Sequence, residues 1–223
     1  MNRNLIVAVG LGTSLLAASL ALGVDQEGTP FTRIYKLGEK VTYSTSHGLK
    51  GGQASAETLD VELTVKKLLD RGRAELGVHF SDVHSSDPRD AATPDLTLAT
   101  GDHNMPTGFS PKDRTAEAAL PFLFLASSTI DKPVKVGDEA PLKWHSDLVG
   151  FDGTIKVLEI STEKKTLKAL IKVKMDVQGN VAGDLTFTSS YNLIDGSLIA
   201  SVGEFPMGSM VQEFKFSRKQ AGE

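Results

Sequence analysis

Apolar and polar residues alternate with a period of two along most of the chain. Between residues 59 and 65 every second residue is apolar, and the residues between them are polar or charged. Asp70, Arg71 and Gly72 interrupt this pattern, which resumes between residues 74 and 80. Because successive side chains of a β-strand point to opposite faces, the pattern predicts a hairpin with one face in the core and the other in water.

The second half of the chain repeats this pattern. Alternation covers residues 155–160, 167–177 and 185–193, and Asp195-Gly196 then marks a tight turn before another strand over 198–202. Phe214 and Phe216 mark a closing strand. About nine to ten strands joined by short turns predict a mainly β fold, an antiparallel half-barrel or sandwich.

Each half opens on a similar stretch. Gly38-Glu39 precedes the strand that carries Tyr43, and Gly137-Asp138 precedes the strand that carries Trp144. A glycine turn followed by a strand with a large aromatic residue thus occurs twice. We interpret the halves as two related β-meanders.

A helical or loop insertion is expected at about residues 84–131, where the alternation stops. A polar stretch over 85–94 is followed by a short strand at Leu96 and Leu98. Ser110 and Pro111 fit a helix N-cap and first helical position, and residues 115–119 suit a short helix that Pro121 ends or kinks. The apolar run over 118–126 fits either core packing or a helical flap that lines a pocket under a curved sheet.

The first 23 residues have the order of a secretory signal peptide. Arg3 precedes an uncharged run over 5–23, and Ala21 and Gly23 offer small residues for cleavage after Gly23. We expect export to the periplasm, cell envelope or medium, with a single antiparallel β domain over 24–223 and no stable membrane span after cleavage. An uncleaved anchor is the alternative, since the uncharged run is nearly long enough to cross a bilayer.

Composition removes several classes of function. The 223 residues include no cysteine, which excludes disulfides, thiolate metal sites and cysteine nucleophiles. A net charge of -4 argues against a nucleic-acid partner. The chain has no P-loop, no Gly-x-Ser-x-Gly and no dinucleotide-binding glycine motif, so we expect no cofactor and no enzymatic activity.

A weak metal-binding pattern lies near the start of the insertion. Imidazole and carboxylate groups suit divalent metals, and the candidates are His79, Asp82, His84 and His103. On a regular strand, however, residues 79 and 84 point to opposite faces. A solvated acidic loop is the simpler interpretation, and a metal-assisted hydrolase is kept as an alternative.

Two resemblances extend these predictions. The stretch Tyr35-Lys36-Leu37-Gly38-Glu39-Lys40-Val41-Thr42-Tyr43, together with Pro133-Val134-Lys135-Val136-Gly137-Asp138, is similar to a type of exported bacterial β-protein in which a glycine-acid turn opens each half. The general plan resembles periplasmic lipoprotein-carrier half-barrels, which shelter acyl chains under a curved sheet with helical plugs. This second likeness is architectural and implies no functional residue.

The hypothesis that follows is a non-enzymatic, exported domain that binds an apolar or amphipathic, lipid-like ligand in the cell envelope. The candidate ligand-binding residues are Leu120, Phe122, Leu123, Phe124, Leu125, Trp144 and Met207. An envelope module that is structural or binds another protein is the main alternative. The sequence leaves the oligomeric state open.

Overall fold

The structure, a computed structural model, describes residues 28–51, 57–84, 95–111 and 114–219, and for 57, 82–84 and 114–119 it describes the backbone alone. The predicted signal peptide over 1–23, the polar stretch over 85–94 and the side chains of Asp82 and His84 lie outside the described residues.

The described residues form thirteen β-strands and one α-helix, with single 3₁₀ turns at Asp70–Gly72 and Asp102–Asn104. In chain order the strands and helix are β1 (Thr29–Phe31), β2 (Lys40–Leu49), β3 (Glu57–Leu68), β4 (Ala74–His84), β5 (Leu96–Thr100), β6 (Pro106–Ser110), α1 (Arg114–Ala126), β7 (Lys132–Val134), β8 (Glu139–His145), β9 (Val149–Ser161), β10 (Thr166–Val177), β11 (Asn180–Asn192), β12 (Leu198–Met207) and β13 (Met210–Arg218).

The predicted mainly β, antiparallel architecture is confirmed. One sheet has eleven strands in the order β6-β5-β4-β3-β2-β13-β12-β11-β10-β9-β8, and β1 pairs with β7 in a second, two-stranded sheet. The meanders β2–β6 and β8–β13 meet where β13 pairs with β2. There are more strands than the expected nine to ten because β1, β6 and β7 have only three to five residues each and show no alternation of apolar and polar residues.

The large sheet curls so that its two edges meet. Neighbouring strands lie about 4.8 Å apart, so a flat sheet of eleven strands would hold its edges about 48 Å apart. Yet the Trp144 indole N–H on edge strand β8 donates a 2.8 Å hydrogen bond to the Pro106 carbonyl on edge strand β6. No backbone ladder joins these edges in the described residues, so the sheet is curved but not closed into a barrel.

Helix α1 lies inside the curl and differs from the prediction. It runs from Arg114 to Ala126 with Pro121 inside it. An interior proline costs a helix about 3 kcal/mol. Leu123 and Phe124 are at most 2 % exposed, and full burial of one such side chain stabilises by about 1.5–3 kcal/mol, which offsets this cost. Ser110 is the last residue of β6 rather than the N-cap, and its carbonyl accepts a hydrogen bond from Thr97.

The glycine turn before β2 is tied to the end of β3. Gly38 has φ +77°, a conformation that favours glycine. Its N–H donates to the Val65 carbonyl at 3.0 Å, and the Val65 N–H donates to the Glu39 carbonyl at 2.9 Å. The Glu39 carboxylate accepts the backbone N–H of Lys36 at 3.2 Å.

The glycine turn before β8 has the same bonds. Gly137 has φ +93° and donates to the Val157 carbonyl on β9 at 2.9 Å, and the Val157 N–H returns a 2.8 Å bond to the Asp138 carbonyl. The Asp138 carboxylate accepts the N–H of Lys135 at 2.9 Å. The likeness between the halves that the sequence indicates is thus present in the backbone hydrogen bonds.

Candidate functional site

Inward-facing apolar residues become exposed at one end of the curved sheet. Met207 pairs with Met210 across the β12–β13 turn, and both share the face of Phe205, which is buried. Leu49 and Val177 occupy the matching inward positions at the ends of β2 and β10. These four apolar side chains are 37–51 % exposed.

The opposite end of the same inner face is covered. Val41, Leu167 and Leu198 begin β2, β10 and β12 there, and all are at most 6 % exposed. The β1–β7 pair seals this end, since the ring of Phe31 contacts the Tyr191 ring edge-on at 4.8 Å. In the described part of the chain, the inward-facing apolar residues are therefore exposed at one end of the sheet and covered at the other.

Aromatic rings continue inward from the open end. The Phe122 ring on α1 stacks on Phe214 of β13 at 5.0 Å and meets Phe151 of β9 edge-on at 5.7 Å. Trp144 stacks on Phe151 at 5.7 Å, and His47 lies over Phe214 at 6.4 Å. Such offset and edge-on pairs are favourable ring arrangements.

We call this open end the mouth. It consists of His47, Leu49, Phe122, Trp144, Val177, Met207, Met210 and Phe214. Its surface is mainly apolar and aromatic, with His47 and the inward-facing Gln212 as its polar side chains. Beside it, Lys50 forms an ion pair with Glu204, and the mouth can therefore take an uncharged group without separating these two charges.

The seven predicted ligand-binding residues fall into two groups. Phe122, Trp144 and Met207 lie in the mouth. The other four, Leu120, Leu123, Phe124 and Leu125, are at most 2 % exposed and pack in the core.

The candidate ligand-binding residues predicted from the sequence did not include His47 or the apolar residues Leu49, Val177, Met210 and Phe214. Their alternation with polar residues matches that of core residues elsewhere in the chain. Exposure depends instead on where the helix and the small sheet stop covering the inner face, which alternation does not reveal.

The covered end contains a buried polar cluster. The Arg33 guanidinium forms an ion pair with Glu39 at 2.6 Å and lies 4.5 Å from the centre of the Tyr35 ring. The Tyr35 hydroxyl donates to the Asn104 side chain, and burial raises the pKa of Tyr35. The cluster borders a cavity of about 20 Å³, room for one water molecule. The Asn104 side chain also donates to the carbonyl of Ser127, the residue after α1, at 3.2 Å, so the cluster ties the first meander to the end of α1.

The metal-binding candidates do not come together among the described residues. His79 Nδ1 lies 2.5 Å from Asp95 Oδ1 on the outer face of the sheet, whereas His103 donates through Nδ1 to the Thr129 carbonyl at 2.8 Å. No group of three histidine, aspartate or glutamate side chains in the described ranges could hold a metal ion. The side chains of Asp82 and His84 are outside those ranges.

Two open grooves with charged side chains in their linings lie on the outer face of the sheet. One of about 400 Å³ runs past Lys40 and Glu62, which form an ion pair at 2.9 Å. Another of about 910 Å³ runs past Lys172, Lys174 and Asp184. Both carry charges of both signs, so neither selects an anion or a cation by charge.

Known protein-family models and curated proteins were compared with the chain, and neither comparison gives a match. Helix α1 is too short to cross a bilayer, and no other helix in the described ranges is long and apolar enough to do so.

Proposed function

We propose that this domain is a non-enzymatic binder of an amphipathic, lipid-like ligand in the cell envelope, and that the mouth receives the apolar part of that ligand. The observation that carries the proposal is the one-sided exposure of the inner face. Apolar side chains that would be core residues elsewhere meet water at the mouth, while the opposite end is sealed.

The expected affinity follows from the area that a ligand could cover. Covering apolar surface yields about 25 cal/mol per Å², so a chain that covers about 300 Å² gains about 7 kcal/mol before the cost of association. Among the described residues beside the mouth, the cation Lys50 is already paired with Glu204. We therefore infer that the polar end of the ligand stays in water.

A structural or protein-binding module of the envelope is the second candidate. The groove of about 910 Å³ on the outer face favours it, because side chains of both charges lie there beside apolar ones, a mixture that is found at protein interfaces. In this case a partner protein covers the outer face and the mouth has no ligand.

Trp144 provides the test. It is the only tryptophan, and it lies in the mouth. The purified domain is titrated with a brominated fatty acid and with a brominated phospholipid, since bromine quenches indole fluorescence on contact. We expect saturable quenching that the unbrominated lipid reverses by competition.

Two matched variants locate the binding site. Met210→Asp puts a charge in the mouth and is expected to weaken binding at least ten-fold. Ile194→Asp puts the same charge at a similarly exposed apolar residue beyond β11, at the covered end, and is expected to leave binding unchanged. Absence of saturable quenching by either lipid would refute the proposal, and recovery of one stoichiometric protein after crosslinking in native envelope would then favour the second candidate.

A further inference from the structure

One side chain of α1 differs from its neighbours. Among residues 120–126 of the helix, Phe122 is partly exposed and all the others are buried. Its ring points between Phe214 on β13 and Phe151 on β9, and three strands of the sheet separate β13 from β9. Phe122 therefore spans the inside of the curl from one wall to the other.

The ring marks the boundary between the mouth and the sealed interior. On β13 the inward residues pass from exposed Met210 to partly exposed Phe214 and then to buried Phe216. Phe187 lies next to Phe214 at 6.2 Å and is fully buried. Phe122 stacks on Phe214, at the level where exposure ends.

We propose that Phe122 is the floor of the mouth and determines ligand specificity by limiting how far an apolar chain can enter. This inference rests on the proposed function and adds a substrate class to it: single chains short enough to end at the Phe122 ring. Longer chains leave their remaining methylenes in water, where those methylenes add no affinity.

The dependence of affinity on chain length follows from the burial of methylenes. Each buried methylene contributes about 0.8 kcal/mol, which corresponds to about a four-fold fall in Kd. Kd should therefore fall with each added carbon and level off once the chain reaches the ring. Removing the ring opens space between Phe214 and Phe151, because a well-packed core relaxes only partly around a deleted side chain.

The experiment measures Kd for saturated fatty acids of about 8 to about 18 carbons, below their micellar concentrations, with the full purified domain. The proteins are the wild type, Phe122→Ala and the milder Phe122→Leu. We expect the wild-type Kd to level off at one chain length, and both variants to level off at a longer one. Beyond the wild-type limit, Phe122→Ala should bind at least ten-fold more tightly than the wild type.

Phe124→Leu serves as the control. Phe124 is two residues away on α1, is 1 % exposed and borders the cavity at the covered end, so its truncation makes space where no chain arrives. We expect the wild-type chain-length limit for this variant. An unchanged limit in Phe122→Leu, with wild-type binding intact, would overturn the role of Phe122. Absence of binding at every chain length, in the wild type and all variants, would instead refute the proposed function.

Discussion

Trp144 donates its indole N–H to the Pro106 carbonyl at 2.8 Å, and this bond joins the two edge strands of the eleven-stranded sheet. A closed barrel would have a full backbone ladder at this seam. Here one side chain bridges it and also stacks on Phe151 inside the curl. Trp144 therefore belongs both to the seam and to the mouth.

Replacing Trp144 by phenylalanine should separate these two roles. The variant removes the indole N–H, so the Pro106 carbonyl loses its hydrogen bond to residue 144, while the phenylalanine ring can still stack on Phe151. We expect the free energy of unfolding to fall by about 1 kcal/mol. Urea denaturation followed by circular dichroism measures this, since the variant has no tryptophan fluorescence. Unchanged stability would mean that the bond does not hold the seam.

The two glycine turns provide a matched pair of variants. Glu39 and Asp138 accept the same backbone hydrogen bond in equivalent turns, but Glu39 also forms an ion pair with Arg33. The side chains of Arg33 and Glu39 are 8 % and 15 % exposed. Glu39→Gln keeps the turn and leaves Arg33 without its counter-charge, so we expect a loss of about 2 kcal/mol.

Asp138→Asn is the control for this variant. Asp138 is exposed, and an asparagine oxygen can still accept the Lys135 N–H. We expect its stability to stay within about 0.5 kcal/mol of the wild type. Equal losses in the two variants, measured by urea denaturation, would show that the charge of the turn carboxylate matters and the ion pair with Arg33 does not.

Much of the fold could be predicted from the sequence because one face of each strand is in the core. Alternation marks the long strands, and the repeated glycine-acid turn marks the start of each meander. Helix α1 was predicted too short because a local rule for Pro121 was applied without the burial of Leu123 and Phe124. Local propensity yields to tertiary packing at such positions.

The mouth was predicted only in part, for a different reason. Phe122 was one of five candidates in an apolar run, and Trp144 stands out as the sole tryptophan. Leu49 and Met210, by contrast, have the same local pattern as core residues. Their exposure depends on how far their strands extend beyond α1, which lies far away in the sequence. No short-range pattern of apolar and polar residues contains that information.

Alkaline pH should unfold the domain through its tyrosines. Tyr43 and Tyr191 are buried and Tyr35 is partly buried, and this burial raises the pKa of Tyr43 to about 12 and the pKa values of Tyr35 and Tyr191 further. An unfolded tyrosine has a pKa of about 10. Above pH 10 the unfolded chain releases protons that the folded chain keeps, so stability is complete below pH 10 and falls as the pH rises through 12.

Absorbance at the tyrosinate band checks this prediction. We expect the native protein to ionise its tyrosines in one cooperative step, well above pH 10 and together with the loss of circular dichroism. In concentrated urea the same groups should titrate near pH 10. A tyrosine that ionises near pH 10 while the fold stays intact would contradict the predicted burial.

Gly203 on β12 makes space for the Phe187 ring, and filling that space should be costly. A Cβ at Gly203 would lie 2.1 Å from Cε1 and 2.5 Å from Cδ1 of Phe187. Phe187 is fully buried between Phe214 and Phe216, so its ring cannot move without moving theirs. We expect Gly203→Ala to destabilise the domain by about 1–3 kcal/mol.

A second substitution tests whether this overlap is the cause. Phe187→Leu shortens the side chain that the Cβ of Gly203→Ala would overlap. The double variant should therefore lose less stability than the sum of the losses in the two single variants. Val202→Ala, at the next residue and on the outer face, should change stability by no more than about 0.5 kcal/mol. If the stability losses of Gly203→Ala and Phe187→Leu simply add up in urea denaturation, the loss in Gly203→Ala arises from the β12 backbone. The packing of the Phe187 ring then does not require a glycine at residue 203.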